Sequence, residues 1–165
     1  MRKAIINGIT GQDGSYMTEF LLSLGYEVHG IVCGSNNQSD EYINSIYLDG
    51  GENRLYYHSL DIYDPGQLAK LTCEINPDEV YYFGAQDHTS VRHDMHEFSG
   101  DITGLSSSTI LEAIRQSGVK CRFCHASSSE IFGSTPTPQS EAAPFRPNSP
   151  YACAKLMSHL STVNY

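Results

Sequence analysis

Basic residues are scarce in this chain. Lys and Arg number 10 against 19 Asp and Glu, for a formal net charge of −9 over 165 residues. That balance argues against a nucleic-acid backbone or an anionic membrane as a general partner, since both would be repelled. A small anion can still be held locally, at a helix N-terminus. Long apolar runs are missing as well. Nothing approaches the ~20 apolar residues of a membrane span, and the opening MRKAIINGIT has too short an apolar run for a secretory signal. Internal repeats, low-complexity tracts and a visible domain boundary are absent. Five cysteines, an odd number with no secretory signal, read as reduced thiols of a cytoplasmic protein.

Metal chemistry finds little support either. Cys121 and Cys124 form a C-x-x-C without a second copy. They fall on an apparent strand, where residues three apart face opposite ways, so they read as buried strand cysteines. His88, His93, Asp94 and His96 cluster in sequence, but their spacing fits no standard zinc pattern. No metal is expected.

What is present is an alternation. Short apolar runs at Ala4–Asn7, Glu27–Val32, Leu55–Leu60, Glu79–Phe83 and Cys121–Ala126 read as strands. Helical patterns lie between them: Ser15–Leu24 stopped by Gly25, Pro65 to about Ile75, and roughly His96–Gln116 stopped by Gly118. Cys33–Asp40 is a polar loop. Ser127–Pro150, rich in Ser, Thr and Pro, is a second loop, and a last helix starts at Tyr151. Strand and helix alternating at this spacing predict an α/β fold with a doubly wound parallel sheet. At 39% apolar residues, one domain with a real core is expected.

Chemistry gathers at the strand ends. Gly8, Gly11 and Gly14 form G-x-x-G-x-x-G between the first strand and the first helix. In that context the glycines permit a tight turn and close approach of a pyrophosphate to the helix N-terminus. Asp61 ends the third strand and is placed for an adenine amino group, or for a solvated turn. Gly84 and Ala85, after Phe83, are small enough to let a cofactor pass. The fifth strand ends in Ser127, Ser128, Ser129 and Glu130. Tyr151 and Lys155, four apart on a helix, share one face. A lysine ammonium beside a phenol favours the phenolate, which makes a tyrosine base. The loop before their helix leaves the same sheet edge.

These motifs resemble the extended short-chain dehydrogenase/reductases, and within them the GDP-mannose 4,6-dehydratase family. The similarity rests on NGITGQDGSY, GYEVHGIV, GAQ at Gly84–Gln86, ASSSE at Ala126–Glu130 and PFRPNSPYACAKL at Pro144–Leu156. The resemblance implies a Rossmann-like fold in which residues 1–165 are the dinucleotide-binding domain. It also implies that only the front half of the family fold is here, with the C-terminal substrate domain absent and an apolar patch exposed. It implies cofactor contacts from Gly8, Gly11, Gln12, Asp13, Gly14, Asp61, Ile62, Phe83, Gly84, Ala85, Gln86, Asp87 and Lys155. Ser128, Glu130, Tyr151 and Lys155 would be catalytic, in a dehydration of a GDP-sugar, GDP-mannose, with NADP recycled internally. Tyr151 would take the 4-hydroxyl proton, Ser128 bond the 4-oxygen, and Glu130 abstract the C5 proton.

The pattern departs from the family in places. Cys33 and Gly34 stand where a pair of arginines usually meets the 2′-phosphate of NADP, so NAD is an alternative cofactor. Asp87 replaces a serine, and Asn7 a threonine. Two other readings stay open: a non-catalytic dinucleotide-binding fragment, and a sugar-nucleotide epimerase, against which Glu130 argues. A homo-oligomer is compatible with the resemblance.

Overall fold

The computed structural model describes residues 1–32, 53–84 and 104–165. Five strands, β1 (Lys3–Asn7), β2 (Glu27–Val32), β3 (Leu55–Ser59), β4 (Glu79–Tyr82) and β5 (Arg122–His125), form one parallel sheet in the order β3-β2-β1-β4-β5. The chain steps outward from β1 to β3, then crosses back to start β4 on the other side of β1. The crevice at the carboxyl ends of β1 and β4 is therefore the topological switch point, where folds of this kind bind ligands.

Four helices are described: α1 (Gln12–Ser23), α2 (Pro65–Ile75), α3 (Ser106–Ser117) and α4 (Pro150–Asn164). The start of α2 is set by Asp64, whose carboxylate accepts from Gly66 N and Gln67 N, with Pro65 following as a pre-organised first residue. Its end is set by Asn76 in the left-handed region, φ 51°. The end of α3 is set by Gly118.

Along β1, β2 and β4 buried residues follow one another rather than alternate, so the sheet is covered on both faces there. On β1, Ala4 and Ile6 pack with Leu21 and Leu22 of α1. Ile5, between them, joins Leu68 and Ile75 of α2 and Ile110 of α3 on the other side. No helix among the described residues is long and apolar enough to cross a membrane.

Several expectations shift. The first helix begins at Gln12 rather than Ser15, because Gly11 is its N-cap and Gly14 lies inside its first turn. The loop from Ser127 contains a 3-10 turn at Ser129–Phe132. The expected helix from His96 is described only from Ser106, and the histidine cluster lies outside the described residues, as does the Cys33–Asp40 loop. The cysteines are not buried as expected. Cys124 is exposed and Cys121 half-buried, because β5 has β4 on one side only among the described residues. Among those residues no cluster of three metal-ligating side chains forms. An apolar face is exposed on α4, where Leu156, Met157 and Leu160 line a groove of about 530 Å³.

Ile6 is fully buried and Val163 is 71% exposed. Ile6→Ala is expected to cost about 2–5 kcal/mol in urea denaturation. Val163→Ala should stay within roughly 0.5 kcal/mol of the parent. Ser149→Ala removes the N-cap that accepts from Ala152 N and should cost about 0.5–2 kcal/mol.

Candidate active site

The loop after β1 turns on Gly8, whose φ of +80° lies in the region that glycine alone enters freely. It brings the first turn of α1 against the strand end. A Cβ on residue 14 would lie 2.1 Å from the Gly8 carbonyl oxygen, so a side chain there is excluded. A Cβ on residue 11 would lie 3.3 Å from the same oxygen. Among the described residues no side chain caps α1. The first-turn N–H groups of a helix have no intrahelical acceptor, and its dipole favours an anion there.

The opposite wall comes from β5 and α4. Tyr151 sits in the first turn of α4, held by the Ser149 cap and Pro150. Lys155 is one turn on and only 3% exposed. Its ammonium donates to the carbonyl of Ala126 at 3.0 Å, at the end of β5, and lies 5.9 Å from the centre of the Tyr151 ring. The two walls enclose a cleft of about 260 Å³ lined by Gly8, Gly11, Gln12, Asp13, Gly14, Phe83, Ala126, Ser127, Tyr151 and Lys155. Ser127 carries a buried hydroxyl with no hydrogen-bond partner among the described residues.

The family model described as GDP-mannose 4,6 dehydratase matches residues 5–165. The chain belongs to the GDP-mannose 4,6-dehydratase family. It is 45% identical to GDP-mannose 4,6 dehydratase 2 of Arabidopsis thaliana, over 98% of this chain and 45% of that one. It is also 45% identical to the GDP-mannose 4,6-dehydratase of Yersinia enterocolitica, over 100% of this chain and 46% of the other. The chain thus spans about half the length of these relatives. Among solved structures, the UDP-Glc/GlcNAc 4-epimerase of Campylobacter jejuni superposes with a TM-score of 0.87 at 21% identity, covering 99% of this chain and 49% of that one. A dTDP-glucose 4,6-dehydratase from Streptomyces venezuelae, with NAD bound, gives 0.81 at 25%, covering 99% and 51%. The sheet and its flanking helices are Rossmann-like, as these neighbours are.

The GDP-mannose 4,6-dehydratase motifs fall at the cleft unevenly. The glycine loop, Phe83, Tyr151 and Lys155 meet there. Ser128 and Glu130 are half-buried just beyond the Ser127 wall. Ser128 caps the 3-10 turn by accepting from Glu130 N at 3.2 Å. Gly84 sits beside Asn7 and does not line the cleft. Asp61 is exposed and accepts from Tyr63 N at 2.9 Å, the turn role that was its alternative reading. Ile62 is buried in the core with Leu68 and Ile75. Ala85, Gln86 and Asp87 lie outside the described residues, as do Cys33 and Gly34.

Two features escaped the sequence reading. The Ala126 carbonyl is a backbone group, for which residue identity carries no signal. His125, read only as part of a strand, packs on Tyr82 at 5.5 Å with its Nε2 buried and unpartnered among the described residues. Burial pushes its imidazole down to about 4, and the charges of Lys155 and His159 add to the effect.

Two outcomes follow from this geometry. Gly14→Ala should lower stability by more than about 2 kcal/mol, while Gly11→Ala should cost distinctly less, both read from urea midpoints. His125 should remain neutral in NMR titration well below the ~6.5 of a free imidazole. A neutral group in the fold means its stabilisation is present above ~6.5 and is lost as pH falls towards about 4.

Proposed function

We propose that this chain is the dinucleotide-binding half of a GDP-mannose 4,6-dehydratase that converts GDP-mannose to its 4-keto-6-deoxy product. The observation that carries this reading is the pairing of Tyr151 and Lys155 across one cleft from a glycine loop that leaves no room for a side chain at residue 14. The residues present fit a nicotinamide dinucleotide. The start of α1, with no side-chain cap among the described residues, suits its pyrophosphate, and the Ser127 hydroxyl, without a partner among those residues, can bond it. The backbone N–H groups of the Gly8–Gly14 loop, with Gly11, Gln12, Asp13 and Gly14, would face the phosphates, Asp61 and Ile62 the adenine, and Phe83 to Asp87 with Lys155 the nicotinamide side. NADP is the cofactor the family resemblance favours. Cys33 and Gly34, in place of the usual arginines, leave NAD as the alternative.

Bound there, the nicotinamide supplies a reversible hydride acceptor. The chain's own groups do the proton work. Lys155, anchored on Ala126, holds positive charge beside Tyr151. That charge favours the phenolate, so Tyr151 takes the proton of the sugar 4-hydroxyl. Ser128 bonds the 4-oxygen. The ketone so formed acidifies C5, and Glu130 takes that proton and passes it to the C6 hydroxyl, which leaves as water. The hydride removed from C4 would return to C6 and the Tyr151 proton would go to C5, giving the 4-keto-6-deoxy sugar. This chemistry needs a carboxylate near the Tyr/Lys pair, the role given to Glu130, whereas a 4-epimerase needs no C5 base.

A second reading has its own observation. The chain spans about half of its relatives, and a fragment can bind the dinucleotide without turning over a sugar.

The assay supplies GDP-mannose with NADP⁺ or NAD⁺ and follows loss of one water by mass. Tyr151→Phe and Glu130→Gln should each lower turnover by about 10²–10⁴-fold while dinucleotide still binds. Dinucleotide binding without product in the parent chain would select the fragment reading.

A further inference from the structure

A second polar cluster lies away from the cleft, between β2 and β3. His29 is buried, with Nε2 2.9 Å from a Glu27 carboxylate oxygen and Nδ1 2.9 Å from Nε2 of His58. Tyr56 stacks on the His29 ring at 4.9 Å. Glu27 also meets Lys3 Nζ at 3.1 Å.

Proton counting limits this array. A carboxylate only accepts, so His29 Nε2 carries its hydrogen and donates to Glu27. Between the rings one nitrogen must donate and the other accept. One extra proton fits, because either ring can become an imidazolium and donate to the other. A second sets N–H against N–H and breaks the link. The surroundings resist both protons. Burial is the main force lowering each imidazole, with His29 adding to the effect on His58. Glu27 opposes it and Lys3 adds to it at His29, while Glu74 of α2 opposes it at His58. Tyr56 of β3 stacks on the His29 ring.

The link matters because β3 has β2 as its only strand partner among the described residues. His58 pairs with Ile31 in the ladder, and Ser59 with Val32. Two residues beyond Ser59 the chain reaches Asp61 and Ile62. We propose that the Glu27–His29–His58 array is a proton-limited clamp that fixes the end of β3 and so positions Asp61 and Ile62 for the dinucleotide. The last part rests on the dinucleotide reading above. Both imidazoles are lowered, so the clamp is whole above the ~6.5 of free histidine. Below it the first proton leaves the link intact, and the clamp is lost as pH falls further and the second proton binds.

The test uses the full chain from about pH 7.5 to about pH 5. It reads histidine ¹⁵N shifts, exchange protection of the β3 amides, and affinity for NADP⁺ and NAD⁺ by calorimetry. His58→Gln is the comparison, since its amide still donates to His29 but cannot titrate. In the parent, β3 protection should fall with pH and dinucleotide affinity should weaken about tenfold. In H58Q both should stay flat. Parallel pH profiles in parent and variant would overturn the clamp. So would His29 and His58 titrating independently near the free value, a result the parent spectrum gives even if H58Q does not fold. If no dinucleotide binds at any pH but the β3 step appears in the parent alone, the clamp stands and the dinucleotide reading falls.

Discussion

An ammonium group that is almost wholly withdrawn from water must be given oxygen to bond. Unsolvated charge otherwise costs several kcal/mol, of order the stability of a domain. Here the Ala126 carbonyl supplies such an oxygen to Lys155. That bond ties the second turn of α4 to the end of β5, across 29 residues of chain. Because Tyr151 is one helical turn before Lys155, its ring is carried to the cleft by the same contact. The bond thus sets the placement of the Tyr/Lys pair against the sheet, and hence the shape of one wall.

The other wall depends on a missing atom. With no Cβ at residue 14, the start of α1 closes on the Gly8 carbonyl and presents its first turn to the cleft. One wall is therefore positioned by a buried charge and the other by steric vacancy. Both constraints act through backbone groups, and this is why loops of ordinary composition can hold a well-defined site.

The sequence made much of this legible. β2 and α2 fall where the pattern places them, because β2 carries Val28, Ile31 and Val32 just ahead of a polar loop and α2 has both a Pro65 start and an apolar face. The start of α1 was harder to read, since glycine ordinarily signals turn and here two glycines serve the helix cap and first turn. The cysteines were misjudged because burial depends on which strand is at the edge, and strand order is a tertiary property. Tyr151 and Lys155 were legible from i,i+4 spacing. What the spacing could not show is that Ser127 and not Ser128 lines the cleft, or that Lys155 spends a proton on a carbonyl. Those facts depend on how β5 ends in space.

The charge of this molecule also bears on how fast a ligand arrives. The net charge is −9, while the cleft offers helix N–H groups and an ammonium. A phosphate-bearing ligand is therefore repelled at long range and attracted only within a few ångströms. Salt screens the first force over about 8–10 Å and weakens the second much less. Encounter should quicken as ionic strength rises, the reverse of ordinary electrostatic steering. The protein trades capture rate for a local hold.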